Sequence, residues 1–148
     1  MAAKVSPAIA VMAINPEFAD RILAGTKRVE FRRTIPKRVV SHVLIYSTAP
    51  CKVVVGYFEV TGIDIGAPAD IWKRFGQSGG VSAEVFWSYY RGSEKAVAIK
   101  VGRVVAFKSP LPLGELSPNL SPPQSFCYLS GEPARKLRLK LNPHQDAG

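Results

Sequence analysis

The sequence predicts an α+β fold: a small, mostly antiparallel β-barrel with short helices at its ends. Three observations carry this. About six runs are rich in β-branched and aromatic residues, against three or four short stretches whose apolar residues repeat with helical spacing. Gly and Pro punctuate the chain, so several connections between these runs are short. No internal repeat, linker or extended low-complexity run divides the 148 residues, which read as one domain with an ordered part over about 8–141.

The elements follow in order. Ala8–Ile14 is a short apolar run and reads as a strand. Asn15-Pro16 opens a helix, because Asn caps well and Pro suits the first helical position. Glu17 and Asp20 complement its dipole, and Phe18, Ala19, Ile22 and Leu23 form one apolar stripe. Gly25 is placed to end the helix in a left-handed conformation. Lys27–Arg33 is then extended, with Val29 and Phe31 facing one way and Arg28, Glu30 and Arg32 the other; Pro36 ends it. Val43–Ser47 and Val53–Thr61 read as a strand pair around Ala49-Pro50, and Gly62–Pro68 as a loop. Ala69–Phe75 is expected to be a short helix closed by Gly76, and Gly76–Gly80 a flexible connection. Ser82 caps a helix bearing Val85, Phe86, Tyr89 and Tyr90, which Gly92 stops. Ala96–Phe107 is a long strand with a bend at Gly102, and Pro110–Leu120 a Pro-rich surface segment. Ser121-Pro-Pro-Gln124 matches a capping box, so Phe126–Leu129 is expected to be helical. Lys136–Leu141 alternates basic residues with Leu, a strand with one basic face, before a frayed end.

Composition excludes several classes. At 47% hydrophobic and 21% charged, the chain can build a core. No apolar run approaches the ~20 residues of a membrane helix. Met1–Val11 has no apolar stretch with a cleavage site, so no signal peptide is expected. Cys51, Cys127, His42 and His144 make no ligand spacing, so neither a zinc site nor a cofactor is expected, and a cytoplasmic protein with reduced thiols is. The net charge is +9, and residues 21–38, with seven basic residues and one acid, carry +6 of it. Such a balance points to an anionic partner, nucleic acid first, or to an ordinary basic surface.

Within that cluster, Gly25-Thr26-Lys27-Arg28-Val29-Glu30-Phe31-Arg32 carries the most chemistry. Lys27 sits at the helix exit, where its ammonium can reach across a cleft. Glu30 and Arg32 share a face of the next strand. An Arg fork suits a phosphate or a base edge. A Glu between two cations can accept from an exocyclic amine or hold the cations in place. The bland alternative is a solvated edge strand with an internal ion pair.

The spacing Gly-x-Lys-x-x-Glu-x-Arg, as Gly25, Lys27, Glu30 and Arg32 directly after a Pro-initiated helix, resembles the signature of ASCH domains. These are relatives of the PUA fold, a small β-barrel associated with RNA. The strand pair of Leu44–Val60 and the helix and strand of Val81–Ile99 fall where that family places them. Pro122–Phe126 resembles a tail found in a prokaryotic branch described as transcriptional regulators. The resemblance covers most of residues 8–130. It implies a cleft lined by Lys27, Glu30 and Arg32 that binds RNA or a nucleotide, with single-stranded DNA as a further ligand. Some members hydrolyse N4-acetylcytidine with the motif Lys as base, a Thr three residues later as nucleophile and a Glu in a later loop. Here Lys27 matches, but Glu30 stands at the Thr position and Gly76–Gly80 has no carboxylate, so that chemistry loses its nucleophile. RNA cleavage is another activity reported in the family; Lys27 and Arg32 would stabilise a pentacovalent phosphate and Glu30 would be the base.

Other residues are weaker candidates. Ser47 and Thr48 could bond a phosphate, though turn roles suit them better. Tyr46, Tyr57 and Phe58 read as core. Trp87 falls off its helix's apolar stripe, so it could stack on a base or pack at the barrel edge. Gln124 and Ser125 read as capping groups within reach of a bound nucleotide. His42 reads as a satisfied strand residue, and Cys51 has no base partner. The expectation is therefore an RNA- or nucleotide-binding protein, with a role in transcriptional or translational regulation, or an RNA-directed hydrolase using the same cleft. Arg28, Arg33, Lys37 and Arg38 would supply longer-range attraction. With Lys27 and Arg32 outside the apolar faces, their substitution by Ala is expected to weaken binding and spare the fold.

Overall fold

The first strand, β1 (Ala8–Ile14), is buried almost throughout because both of its edges and both of its faces are covered. The structure, a computed structural model, describes residues 7–141. β1 is followed by α1 (Pro16–Ala24), where Asn15 accepts from the Glu17 amide at 3.1 Å and Gly25 ends the helix at φ 85°, as its place in the sequence requires. Next come β2 (Val29–Arg32), β3 (Val40–Ser47) and β4 (Val53–Gly66). Two helices, α2 (Pro68–Phe75) and α3 (Ala83–Tyr89), lead to β5 (Ala96–Leu111), and the chain ends in α4 (Leu113–Leu116), β6 (Phe126–Leu129) and α5 (Gly131–Leu141).

The six strands form one sheet in the order β2-β5-β4-β3-β1-β6. All neighbours are antiparallel except β1 and β3, which α1 and β2 separate in sequence. The sheet does not close: β2 and β6 remain its edges. The fold is thus the expected α+β class, an unclosed, mostly antiparallel sheet carrying short helices.

Three apolar clusters hold it. Ala10, Met12 and Ile14 of β1 pack on one face with Ala19 and Ile22 of α1 and Phe58 of β4. Ile9 and Val11, pointing the other way, pack with Leu44, Leu113 and Ala134. This double burial is why β1 reads as a continuous apolar run rather than an alternating one. The third cluster seats Phe86 of α3, Tyr90 at its C-terminal cap and Ile71 of α2 on Val29, Phe31 and Ala98, which clamps α3 over β2.

Four expectations are corrected. Phe126–Leu129 is a strand, not a helix: it pairs Phe126 with Met12 and Leu129 with Ile9, so the free edge of β1 outweighs the local capping signal. Lys136–Leu141 belongs to α5, because Ala134, Leu137 and Leu141 at i, i+3 and i+7 form the helical stripe that covers the second cluster. The segment expected as a loop after Thr61 continues β4 to Gly66, paired with Ala96. Finally, β5 runs on to Leu111, and the Pro-rich stretch after it contains α4. The expected frayed end and His144 lie outside the described residues.

Candidate nucleic-acid interface

Between α1, β2 and α3 lies a half-open pocket of about 140 Å3. Its walls are apolar: Ala13 and Ile14 end β1, Phe18 comes from α1, Phe31 from β2, and Val81, Val85, Phe86 and Tyr89 from α3 and the loop before it. Asn15 adds one polar group, and the remaining lining is Lys27, Glu30 and Arg32.

These three are not exposed cleft residues. Lys27 is 1% exposed, Glu30 6% and Arg32 9%, which rules out the solvated edge strand and corrects the expectation that Lys27 and Arg32 lie outside the packed faces. The cause is the clamp of α2 and α3 over β2, whose four residues are all buried. Buried charges must be paired and hydrogen-bonded, and here they are. The Lys27 ammonium donates to the Gly79 carbonyl at 2.5 Å and lies 3.5 Å from Glu30 Oε1. It also sits 5.4 Å and 5.2 Å from the ring centres of Phe18 and Phe31, a cation–π environment. Burial holds its pKa below the ordinary lysine value, with Glu30 opposing that shift.

Arg32 uses its whole fork. Nε donates to Glu30 Oε2 at 3.1 Å, and Nη2 lies 2.9 Å from the same oxygen and donates to the Ala13 carbonyl at 2.8 Å. Nη1 donates to Ser125 Oγ at 3.1 Å. Arg32 therefore ties β2 to the end of β1 and to the turn before β6. Glu30 anchors both cations, and its Oε1, 3.5 Å from Lys27, is the less engaged oxygen.

The loop 76–80 is fixed to this triad rather than free. Gly79 accepts from Lys27, Gly80 accepts from Arg21 Nη1 at 2.7 Å, and Ser78 accepts from the Arg28 amide at 2.7 Å. Gly80, at φ +64°, lies on the Lys27 stem; a Cβ there would sit 2.6 Å from Lys27 Cβ.

The other sequence candidates disperse. Gly25 ends α1 at the base of the motif. Arg28 is exposed but outside the pocket lining. Arg33 is exposed at the pocket rim, its guanidinium 4.3 Å over the Tyr89 ring. Lys37 and Arg38 are exposed on the connection from β2 to β3 and line a second groove. Ser47 is buried and Thr48 donates its amide to the Ile14 carbonyl; neither lines the pocket. Trp87 is 43% exposed, packs edge-on against Phe86 and also lies outside the lining. Tyr46, Tyr57 and Phe58 are core, and His42 is buried with Nδ1 2.9 Å from Ser41 Oγ. Among the described residues, no three His, Cys, Asp or Glu side chains group as metal ligands.

Sequence reasoning missed the apolar walls. Phe18, Phe86 and Tyr89 fall on helical stripes that serve core and pocket at once, so periodicity could not separate the two roles. Val85 gave a signal after the fact: it is on the stripe yet 44% exposed, because its neighbour is the pocket mouth.

Comparison with known proteins agrees with this geometry. A family model for the ASCH domain matches residues 12–105. The chain is 36% identical over 132 residues to an ASCH domain-containing ribonuclease of Zymomonas mobilis, spanning 86% of this chain and 88% of that protein. The crystal structure of ASCH from Zymomonas mobilis superposes with a TM-score of 0.81 at 36% identity, over 88% of this chain and 93% of that one. The N-terminal domain of Staphylothermus marinus McrB shares the fold, with a TM-score of 0.54 at 8% identity. The motif, the sheet order and these matches lead to one conclusion: the chain belongs to the ASCH domain family.

Proposed function

We propose that this protein binds RNA by drawing one base into the pocket between α1, β2 and α3. The observation that carries the proposal is the pairing of a small, apolar-walled pocket with a buried Lys27–Glu30 pair on its wall. At about 140 Å3 the pocket is well below the roughly 300–1,000 Å3 of a site for a drug-sized ligand, so it suits one flat ring system rather than a whole nucleotide. A phosphate would enter against apolar walls, and both buried cations are already engaged by Glu30 and by carbonyls. A neutral base avoids that cost. Its exocyclic amine or ring N–H can donate to Glu30 Oε1, and a carbonyl or ring nitrogen can accept from Lys27. The sugar and phosphates stay outside, near Arg33. Lys27 and Glu30 read the base, Arg32 positions Glu30, and Arg28, Arg33, Lys37 and Arg38 attract the chain. Cytoplasmic regulation of transcription or translation by a one-domain protein is the setting this binding would serve.

Titration calorimetry with the four nucleosides and with short single-stranded RNAs tests the proposal. Saturable binding that falls at least tenfold in Glu30→Gln, with the variant still folded, supports it; binding indifferent to Glu30 would end it.

A second reading is RNA cleavage. It is favoured by the relative named as a ribonuclease; Lys27 and Arg32 would stabilise the pentacovalent phosphate and Glu30 would be the base. Incubation with labelled RNA and with modified cytidines, followed by chromatography, separates the two. Product whose formation depends on Lys27 or Glu30 establishes turnover. RNA bound and recovered intact leaves binding as the function.

A further inference from the structure

The connection between β2 and β3, residues 33–39, leads away from the pocket rim. Its first residue, Arg33, lies flat on Tyr89, a wall of the pocket, and donates to the Tyr89 carbonyl through Nε at 3.0 Å and Nη2 at 2.5 Å. Four residues on, Lys37 and Arg38 border a groove of about 410 Å3 between residues 35–40 and Val60–Ile63 of β4. Arg38 is held in place: its guanidinium lies 5.1 Å over the Tyr128 ring, and its amide donates to the Tyr128 hydroxyl at 3.2 Å. Ile35 and Val39 beside them are 47% and 76% exposed, an aliphatic surface that the described residues leave uncovered. None of Arg33, Lys37 and Arg38 joins an ion pair among the described residues.

We infer that this groove is a second subsite, which takes the phosphodiester backbone of the RNA whose base occupies the pocket. The inference rests on the pocket reading above. Two observations favour an RNA strand over an acidic peptide. Arg33, beside the pocket wall Tyr89, and Lys37, at the groove, lie on one connection, and four residues span at most ~14 Å, a distance a few nucleotides cover. Two of the three cations are Arg held against tyrosine rings: Arg38 offers its guanidinium fork to phosphate oxygens, and Arg33, whose Nε and Nη2 are held by the Tyr89 carbonyl, offers Nη1. The aliphatic floor gives the riboses a surface without offering the bases an aromatic platform, so the groove holds backbone and carries little sequence preference.

The test compares the four nucleoside monophosphates with random-sequence hexaribonucleotides, on wild type and on Lys37→Ala/Arg38→Ala, across salt. Each phosphate contact on a single strand adds about 0.7 to the salt slope, so the double variant should lose about 1.4 from the hexamer slope. Between 50 and 200 mM salt, the wild type should then lose about sevenfold more hexamer affinity than the variant does. Its hexamer-to-monophosphate affinity ratio should exceed the variant's. A hexamer slope unchanged by the substitutions would overturn the inference, as would displacement of the hexamer by oligoglutamate as readily as by unlabelled RNA. If wild type fails to bind monophosphates while its hexamer affinity still depends on Lys37 and Arg38, the pocket reading falls and the groove stands. Both residues are exposed, and circular dichroism checks that the variant is folded.

Discussion

Replacing Arg32 by Met tests whether the motif arginine positions the site or only attracts RNA. Met keeps much of the stem and removes the fork. The variant loses the two contacts to Glu30 and the bonds to the Ala13 carbonyl and Ser125 Oγ. Glu30 is left with Lys27 alone at 3.5 Å, and the Ala13 carbonyl loses its side-chain donor. Breaking one side of a buried ion pair costs ~3–5 kcal/mol, largely because the remaining charge stays buried. For a chain of this length, 1 kcal/mol moves Tm by about 2–4 °C, so the expected fall is roughly 6–20 °C. Thermal and urea unfolding followed by circular dichroism read it. Lys37→Met, at an exposed position, should stay within ~0.5 kcal/mol of wild type. Glu30→Gln combined with Arg32→Met should cost clearly less than the two single losses together, since each removes the other's partner. An Arg32→Met protein within 1 kcal/mol of wild type would show that Arg32 does not hold Glu30 in place and would leave it only the role of attracting RNA.

Three further outcomes are expected. Val85→Trp places a large ring at the pocket mouth from a position already 44% exposed, so RNA affinity should fall at least tenfold in calorimetry with Tm nearly unchanged. Gly80→Ala drives a Cβ into the Lys27 stem at positive φ and should cost about 1–3 kcal/mol in urea unfolding, with weaker binding because the loop carries Val81. Lys27 is held below its ordinary pKa by burial, so above that folded value and up to the ordinary lysine value the unfolded chain binds more protons, and Lys27's contribution to stability rises with pH. That contribution is lost as pH falls through the folded value. The stability of wild type relative to Lys27→Met should therefore climb as pH rises toward the ordinary lysine value, and a flat difference would contradict the shift.

Local chemistry made much of the fold legible. Asn15-Pro16 and Gly25 bounded α1 because caps are set by a few adjacent residues, and the Ser82 side chain accepts from the Val85 amide as its position predicts. The errors arose where a distant partner decided the outcome. Phe126–Leu129 carried a capping signal yet became a strand because β1 offered it an edge. The alternating Lys136–Leu141 became helical because Ala134, Leu137 and Leu141 could cover the second cluster together. The site divides in the same way. Lys27, Glu30 and Arg32 stood out as one constellation, and they do line one pocket. Their burial did not show, because nothing in residues 27–32 announces that α3, more than fifty residues away, will lie across them. The cations left at the surface, Arg33, Lys37 and Arg38, looked like mere surround and instead border the rim and the second groove.

In the proposed complex a base enters the pocket while the backbone stays outside. A crystal structure of the protein with a short single-stranded RNA measures this most directly. One base is expected in contact with Phe18, Phe86 and Tyr89, with a ring or exocyclic nitrogen within hydrogen-bond distance of Glu30 Oε1 and phosphates beside Arg33. RNA bound with the pocket empty, or a phosphate group seated against Lys27 and Arg32, would contradict it.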